Sequence, residues 1–324
     1  MGDIYEEASG LTYESTKKNF VKPRVKKEMR ELKGVIALIP TPLTENGEIA
    51  KEDLRSIIDF EMNNGCYGVG VLAAIGEGYL MTDNDWKTVV KTAVDHMNGR
   101  GPLWVGCCSM GTGRAVELAK TAGDFGADVV LAFNPQGIRT YTVNELYEHF
   151  KAQTDAVNIH VVPYARADDQ IPFEVLKRLV DEGRISHMKY AFRDCAFLKK
   201  LDKILGNKLF KFCGADAWTL RYLLLGCKGI STATAAAFPK ENVELLSLVE
   251  QGKVDEARKY WYEKFLTWND TAFHDMRTWQ WAHKYALKLM EVIKSDAVVS
   301  PQVRGADYQS EEIEALLRFH KKIK

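Results

Sequence analysis

Short apolar runs alternate with longer amphipathic stretches along most of the chain, from residue 34 to about residue 252. The runs suit strands buried on both faces, while the stretches repeat apolar residues at the helical i, i+3, i+4 spacing, as Leu54, Ile57 and Ile58 do. The predicted strands are residues 35–40, 68–73, 103–106, 129–133, 159–162, 187–191, 210–213 and 229–231. The predicted helices are residues 51–64, 83–97, 113–125, 143–156, 172–182, 196–205, 217–225 and 239–251.

Eight predicted strands in alternation with eight predicted helices indicate an α/β fold and favour a closed (β/α)8 TIM barrel. The alternative is an open, doubly wound sheet, which usually carries the glycine pattern GxGxxG after its first strand. Here the sequence IPTP at residues 39–42 stands at that place instead. The barrel is therefore the preferred prediction.

The same pattern divides the chain into three parts. Residues 34–252 form the predicted barrel. Residues 253–324 show helical spacing at 254–273, 277–294 and 310–322 without a further strand, which predicts a C-terminal extension of helices packed on the barrel. Residues 1–33 are polar and show neither period, which predicts an N-terminal extension or arm.

Composition narrows the classes of partner. Lys plus Arg and Asp plus Glu both number 44, so no net field would draw in nucleic acid or an anionic membrane surface. The six cysteines show no CxxC pair and no Cys/His spacing typical of zinc, so no metal site is expected. No run approaches the roughly 18 apolar residues of a membrane span, and no secretory signal pattern is present. We expect no membrane partner and a cytoplasmic location.

Lys189 is the first residue that could carry chemistry. Alternation along the strand predicted at 187–191 places His187 and Lys189 on one face. A lysine inside a barrel is desolvated, which lowers its pKa and makes the neutral amine a nucleophile for a carbonyl carbon, whereas a lysine outside it is merely solvated. The pattern alone leaves both interpretations open.

Several motifs occur in an order that resembles the dihydrodipicolinate synthase and N-acetylneuraminate lyase family of class I aldolases. They are Thr41-Pro42 after the first strand, Ala73-Ala74-Ile75-Gly76-Glu77 after the second, Met188-Lys189, Cys213-Gly214-Ala215-Asp216, and the eighth-strand segment ending at Ser231. The resemblance runs from about residue 34 to the C-terminus. It implies that Lys189 forms an imine with a small 2-oxo acid substrate and that no cofactor or metal is needed.

The resemblance also assigns the substrate-binding residues, with one departure. The family loop usually offers hydroxyl groups to the substrate carboxylate, but this chain has Ala74 and Ile75 there, which leaves their backbone N–H groups and the hydroxyls of Thr41 or Ser231. The predicted substrate-binding set is Thr41, Ala74, Ile75, Gly76, Glu77, Gly214 and Ser231. Glu77 is expected to hold the loop.

His160 and Tyr141 are the candidates for the residues that transfer protons during the reaction. Aligning the proline that follows the family's strand-five tyrosine with Pro163 puts His160 in the place of that tyrosine, and a histidine relays protons near pH 7. The alternative for His160 is a core histidine bonded to a backbone carbonyl. Tyr141 is the candidate for a second family tyrosine, which a neighbouring subunit contributes. Ala165 occupies the place of the arginine of dihydrodipicolinate synthases, which argues against that enzyme itself.

The predicted function is therefore that of a Schiff-base-forming lyase of the aldolase type, acting on pyruvate or a pyruvate-derived 2-oxo acid. Two alternatives stay open, namely a dehydratase or hydratase-aldolase of a 3-deoxy-2-oxo acid, and a non-catalytic barrel of the same family that binds a small molecule. The resemblance further implies a homo-oligomer, either a dimer or a tetramer.

Overall fold

The computed structural model describes residues 29–136, 139–166 and 169–324. Within these residues eight parallel strands form a closed barrel in sequential order, with the eighth strand paired to the first. The strands are β1 Gly34–Leu38, β2 Gly68–Val71, β3 Leu103–Cys107, β4 Val129–Phe133, β5 His160–Ala165, β6 His187–Tyr190, β7 Phe210–Cys213 and β8 Gly229–Ile230. The (β/α)8 TIM barrel expected from the sequence is confirmed.

A helix follows each strand and covers the outside of the barrel. These helices are α1 Lys51–Asn63, α2 Asp83–Met97, α3 Thr112–Phe125, α4 Val143–Ala156, α5 Phe173–Asp181, α6 Cys195–Leu205, α7 Thr219–Leu224 and α8 Pro239–Glu250. Helix α4 begins with a capping box in which Thr142 and Glu145 bond each other's backbone N–H groups. Such local signals explain why the sequence pattern located these helices closely.

Alternate side chains of each strand fill the barrel interior. In β4, Val129, Leu131 and Phe133 belong to the interior cluster, while the residues between them pack against the helices. Trp104 and Phe212 meet edge to face inside the barrel, with ring centres 5.0 Å apart. The barrel interior is therefore a packed core.

The amino-terminal end of the barrel is closed by two imidazoles. His160 begins β5 and His187 begins β6, and their ring centres are 5.2 Å apart. Nε2 of His160 lies 2.8 Å from the carbonyl oxygen of Arg30, and Leu32 is buried in the interior cluster. The segment that precedes β1 therefore plugs this end of the barrel.

Helices at the C-terminus pack against one another and against the barrel. They are α9 Val254–Trp261, a π-helical turn Tyr262–Leu266, α10 Thr267–Ala272, α11 Trp279–Leu289 and α12 Asp307–Phe319. A separate apolar cluster that includes Phe238, Trp268 and Trp281 joins them. The three-part division at residues 34 and 253 stays a prediction, because residues 1–28 of the proposed arm lie outside the described residues.

Two further features concern partners. In the part of the chain that the structure describes, no helix is long and apolar enough to cross a membrane. Across the same residues, no group of three or more His, Cys, Asp or Glu side chains is arranged to hold a metal ion. The cysteines are free thiols.

Candidate active site

Lys189 lies inside the barrel near the carboxyl-terminal end of β6, the end at which barrel enzymes carry their chemistry. Its side chain is buried, with the residue 3% exposed. Burial lowers the pKa of Lys189 to about 7, the charge of Asp216 opposes this shift, and the guanidinium of Arg166 adds to it. A substantial fraction of the amine is therefore neutral and nucleophilic near pH 7.

Tyr164 is the nearest aromatic neighbour of this amine. The pairing of β5 with β6 sets Tyr164 level with Lys189, and Nζ lies 3.9 Å from the centre of the phenol ring. Phe133 holds the ring edge to face, with centres 5.3 Å apart. Burial raises the pKa of Tyr164, so its hydroxyl stays protonated and can donate a proton.

The turn after β7 leaves room for the lysine. A Cβ built on Gly214 would lie 2.3 Å from Cε of Lys189, so a side chain cannot occupy this position without moving the amine. Asp216 follows in the same turn, and its Oδ1 accepts a hydrogen bond from Thr234 N at 2.7 Å. Its carboxylate is the nearby charge that favours the ammonium form of Lys189.

The loop after β2 is tightly folded. Leu72 and Glu77 both adopt left-handed backbone conformations, with φ of 58° and 57°. A Cβ on Gly76 would lie 2.6 Å from Leu72 N, so only glycine fits there. Thr41 Oγ1 donates to the Gly76 carbonyl oxygen at 2.7 Å.

This geometry leaves donors free at the middle of the loop. Within the described residues, the backbone N–H groups of Ala74 and Ile75 have no acceptor. Paired backbone N–H groups of this kind suit a carboxylate. Thr41 and Gly76, which the sequence assigned to substrate binding, form the clamp that shapes this loop.

The C-terminal region secures the end of the same loop. Glu77 forms an ion pair with Lys284 of α11 in which both side chains are fully buried, and its Oε1 accepts a hydrogen bond from Val299 N at 2.8 Å. Burial raises the pKa of Glu77 and lowers that of Lys284, and the attraction between them opposes both shifts. The sequence predicts that Glu77 holds the loop, but it does not indicate that Lys284 is the partner of Glu77.

Ser231 lies just beyond β8, beside Gly214. The pairing of Cys213 with Ile230 fixes this level, and alternation from Gly229 turns the Ser231 side chain inward. Ser231 is fully buried, and among the described residues its Oγ has no hydrogen-bond partner. A buried hydroxyl without a partner is costly, so a ligand oxygen at this place would satisfy it.

The structure does not bring His160 to the lysine. Tyr164 is level with Lys189, whereas His160 lies at the opposite end of β5, about 13 Å away at ~3.3 Å per residue. Its Nε2 bonds the Arg30 carbonyl, which is the core role that we weighed as the alternative. The assignment of the proton relay to His160 is therefore corrected, and Tyr164 takes its place as the candidate.

Tyr141 is also away from the lysine. It precedes α4, packs against the cluster between strands and helices, and carries the Arg139 guanidinium 4.5 Å above its ring. The described contacts of this single chain do not join it to Lys189. A role for Tyr141 in a neighbouring subunit stays a prediction.

Polar side chains that sequence analysis missed connect the loops after β4 and β5. Arg166 donates to Gln136 Oε1 at 3.1 Å, and Asp169 accepts from Asn134 Nδ2 at 2.6 Å and from Gln136 Nε2 at 3.3 Å. The positive charge of Arg166 acts on three nearby groups. It adds to the fall in the pKa of Lys189, and it opposes the rise that burial causes in the pKa values of Tyr164 and Tyr79. This network therefore borders the open end of the barrel.

The chain is similar in sequence to known proteins over most of its length. A sequence model described as the dihydrodipicolinate synthetase family matches residues 31–320. A 4-hydroxy-tetrahydrodipicolinate synthase of Clostridium perfringens is 31% identical over 229 residues, which cover 70% of this chain and 78% of that protein. The enzyme of the same name from Nitrosococcus oceani is 32% identical, over 68% of this chain and 76% of its own.

Solved structures show the same fold. A crystal structure of a dihydrodipicolinate synthase superposes with a TM-score of 0.83 at 28% identity, covering 90% of this chain and all of that one (100%). YagE, a prophage protein from E. coli K12 solved in complex with pyruvate, gives a TM-score of 0.83 at 24% identity, over 89% of this chain and 98% of that one.

Proposed function

The chain belongs to the dihydrodipicolinate synthetase family, and from this premise we propose that it is a class I aldolase-type lyase that holds pyruvate or a pyruvate-derived 2-oxo acid as an imine on Lys189. One observation carries the proposal. A lysine amine whose pKa burial lowers to about 7 lies inside the barrel near the carboxyl-terminal end of β6, beside the ring of a tyrosine, and the loop after β2 has free N–H groups. Such an amine is nucleophilic at neutral pH.

The first stage makes the imine. The neutral Nζ attacks C2 of the 2-oxo acid, the former carbonyl oxygen takes up a proton, and the resulting carbinolamine loses water to leave a protonated C=N bond. In a substrate with a C4 hydroxyl, that hydroxyl then gives its proton to the Tyr164 phenolate left by the loss of water, and the C3–C4 bond breaks. The positive nitrogen accepts the electron pair of this bond, which releases an aldehyde and leaves an enamine. Protonation at C3 and hydrolysis return the amine and the 2-oxo acid.

Tyr164 is proposed to donate the proton that lets water leave the carbinolamine. Its hydroxyl stays protonated because burial raises the pKa of Tyr164, and the pairing of β5 with β6 keeps its ring beside the amine. The phenolate formed in this way would take the C4 hydroxyl proton, return it to C3, and finally take up a proton from the attacking water during hydrolysis. General acid–base catalysis of this kind contributes about 10²- to 10⁴-fold.

The substrate carboxylate is proposed to bind at the loop after β2. The N–H groups of Ala74 and Ile75 supply two donors, and Ser231 Oγ can supply a third from across the barrel end. Backbone donors fixed before the substrate arrives cost little reorganisation. Gly214 keeps space for the side chain of Lys189.

The proposal also covers the need for a cofactor, the oligomeric state and the alternative reaction. Lys189 and Tyr164 supply the nucleophile and the protons, so the reaction as written needs no diffusible cofactor. We also propose a cytoplasmic homo-oligomer, a dimer or tetramer, which sedimentation showing only monomer at micromolar concentration would contradict. Dehydration of a 3-deoxy-2-oxo acid would begin with the same imine, and product analysis separates it from carbon–carbon cleavage.

The experiment that tests the proposal is intact-mass analysis after incubation with pyruvate and sodium cyanoborohydride. Reduction of the imine should leave a covalent adduct on the peptide that contains Lys189, and Lys189→Met should abolish it. Lys211 is an internal control, because this lysine of β7 is equally buried but pairs with Asp202 at 3.0 Å on the helix side.

A parent protein that forms no adduct with pyruvate or with longer 2-oxo acids would contradict the proposal. The interpretation as a non-catalytic binding barrel would then lead. An adduct on Lys211 rather than Lys189 would equally count against the assigned site.

A further inference from the structure

Helix α11 lies against the loop that is proposed to bind the substrate carboxylate. Lys284 of α11 reaches Glu77, and Gln280, one turn earlier on the helix, donates to the Tyr79 hydroxyl at 3.3 Å. Gln302, beyond the end of the helix, donates to the same hydroxyl at 3.0 Å. The C-terminal region thus contacts this loop through several side chains that point toward it.

Both carboxylate oxygens of Glu77 are held from this side. Oε2 pairs with Lys284, and Oε1 accepts from Val299 N at 2.8 Å. Lys284 is itself fixed, since its Nζ also donates to the Ala297 carbonyl oxygen at 2.7 Å. Side chains anchored at both ends leave the Glu77 backbone little freedom.

The backbone at Glu77 needs such support. Its φ of 57° lies in the left-handed region, which costs a non-glycine residue free energy unless its surroundings impose it. Leu72, at the other end of the loop, has a φ of 58°. Ala74 and Ile75 lie between these two points, so the direction of their N–H groups depends on both ends staying in place.

We propose that Lys284 is a positioning residue for substrate binding, which acts through Glu77 to fix the backbone amides of Ala74 and Ile75 in the orientation that a 2-oxo acid carboxylate requires. This inference rests on the proposed function. A purely stabilising role does not explain the pair well, because the desolvation of two buried charges offsets most of their attraction. A helix from the far end of the chain would then help to set substrate affinity without touching the substrate.

The test measures the pyruvate concentration that gives half-maximal trapping by cyanoborohydride. Lys284→Met should raise this concentration at least about tenfold while the maximal yield of adduct stays near that of the parent, because misplaced amides weaken binding before chemistry. Lys288→Met is the matched control. This lysine lies one turn further along α11 and also pairs with a carboxylate, Asp296 at 2.6 Å, but does not contact the loop.

A second variant guards against misfolding, since Lys284→Met leaves Glu77 buried without a partner. The double variant with Glu77→Gln and Lys284→Met removes the carboxylate charge together with the ammonium group that pairs with it. The amide oxygen of the introduced glutamine still accepts the hydrogen bond from Val299 N–H. It should show the same rise. Circular dichroism and thermal unfolding verify that each variant is folded.

The outcomes separate the two proposals. If the parent gives no adduct, the proposed function fails. If the parent is trapped and a folded Lys284 variant needs no more pyruvate than Lys288→Met does, only the positioning role of Lys284 is overturned.

Discussion

The amine of Lys189 and the phenol ring of Tyr164 face each other across neighbouring strands, 3.9 Å apart. Their pairing follows from the register of β5 and β6, so the backbone of the sheet sets their separation. Two groups positioned by paired strands keep their geometry better than groups on loops. The relationship places the proposed nucleophile and proton donor together before any substrate is bound.

Tyr164→Phe should slow adduct formation with pyruvate by about 10²-fold or more, since the variant keeps the ring and loses the proton donor. Thermal stability should change little because the contact with Phe133 is retained. Single-turnover trapping with cyanoborohydride measures the rate.

His160→Gln is the comparison that decides between the two relay candidates. It should leave the trapping rate near that of the parent, because His160 lies at the other end of the barrel. A slow His160 variant together with a normal Tyr164 variant would restore the assignment made from sequence.

The trapping rate should rise with pH and level off, with a midpoint near 7. Burial lowers the pKa of Lys189 to about 7, so each unit below that value reduces the neutral amine about tenfold. Asp216→Asn should move the midpoint to lower pH, because the Asp216 carboxylate raises the pKa of this lysine. The amide keeps an acceptor for Thr234 N–H. An unshifted midpoint would show that the charge of Asp216 does not tune the amine.

Gly214→Ala should suppress the adduct while the protein remains folded. The added Cβ would meet Cε of Lys189 at 2.3 Å, and the flexible side chain would have to leave its place beside Tyr164. Gly113→Ala is the control, since a Cβ there meets nothing within 4 Å on helix α3 and should stabilise the helix by up to about 1 kcal/mol. Unchanged trapping by Gly214→Ala would mean that the lysine works from another position.

Acid should lower the free energy of unfolding because it protonates His187 at the amino-terminal end of the barrel. Burial lowers the pKa of His187 to about 4, and the neighbouring His160 contributes to the shift. The unfolded chain binds protons below about pH 6.5. The stability that the neutral ring contributes is therefore present above that pH and is lost as pH falls toward 4, by about 2 kcal/mol at pH 5.

Urea unfolding at pH 7 and pH 5 tests this. His187→Phe, whose ring suits the neighbours Phe210 and Phe212, should lose less free energy of unfolding between the two pH values than the parent does. Exposed His274→Gln should behave as the parent. Equal losses in all three proteins would show that the partly buried ring of His187 does not govern acid stability.

Much of the fold was predictable because its strands are apolar and its helices repeat apolar residues at helical spacing. The predicted strands at 129–133 and 210–213 coincide with β4 and β7. The inward direction of Lys189 also follows from alternation once the barrel is known. What the pattern of a single strand could not decide was which face points inside.

The relay residue was missed for a local reason. The predicted fifth strand ends at residue 162, yet β5 continues through Pro163, which pairs with Ala132. Alternation carried past the proline would have placed Tyr164 on the interior face with Val162. The alternation that identifies Tyr164 was therefore present in the sequence, but the predicted strand ended before it.

No sequence pattern indicated that Lys284 pairs with Glu77. Lys284 lies in the helix predicted at residues 277–294, and a single charged residue there predicts nothing about a partner far away in sequence. The π-helical turn Tyr262–Leu266, which interrupts a helix predicted as continuous from 254 to 273, was equally invisible. Tertiary packing decides such features.

The distance along the chain between Glu77 and its supports bears on synthesis. Val299 follows Glu77 by 222 residues, so a ribosome working at roughly 5–20 residues per second makes the supporting segment about 10 to 40 s after the loop. Every strand of the barrel has by then been translated. A nascent chain therefore acquires its carboxylate loop in final form only after residue 299 has been made, so the lysine proposed to form the imine lacks an ordered partner site until then.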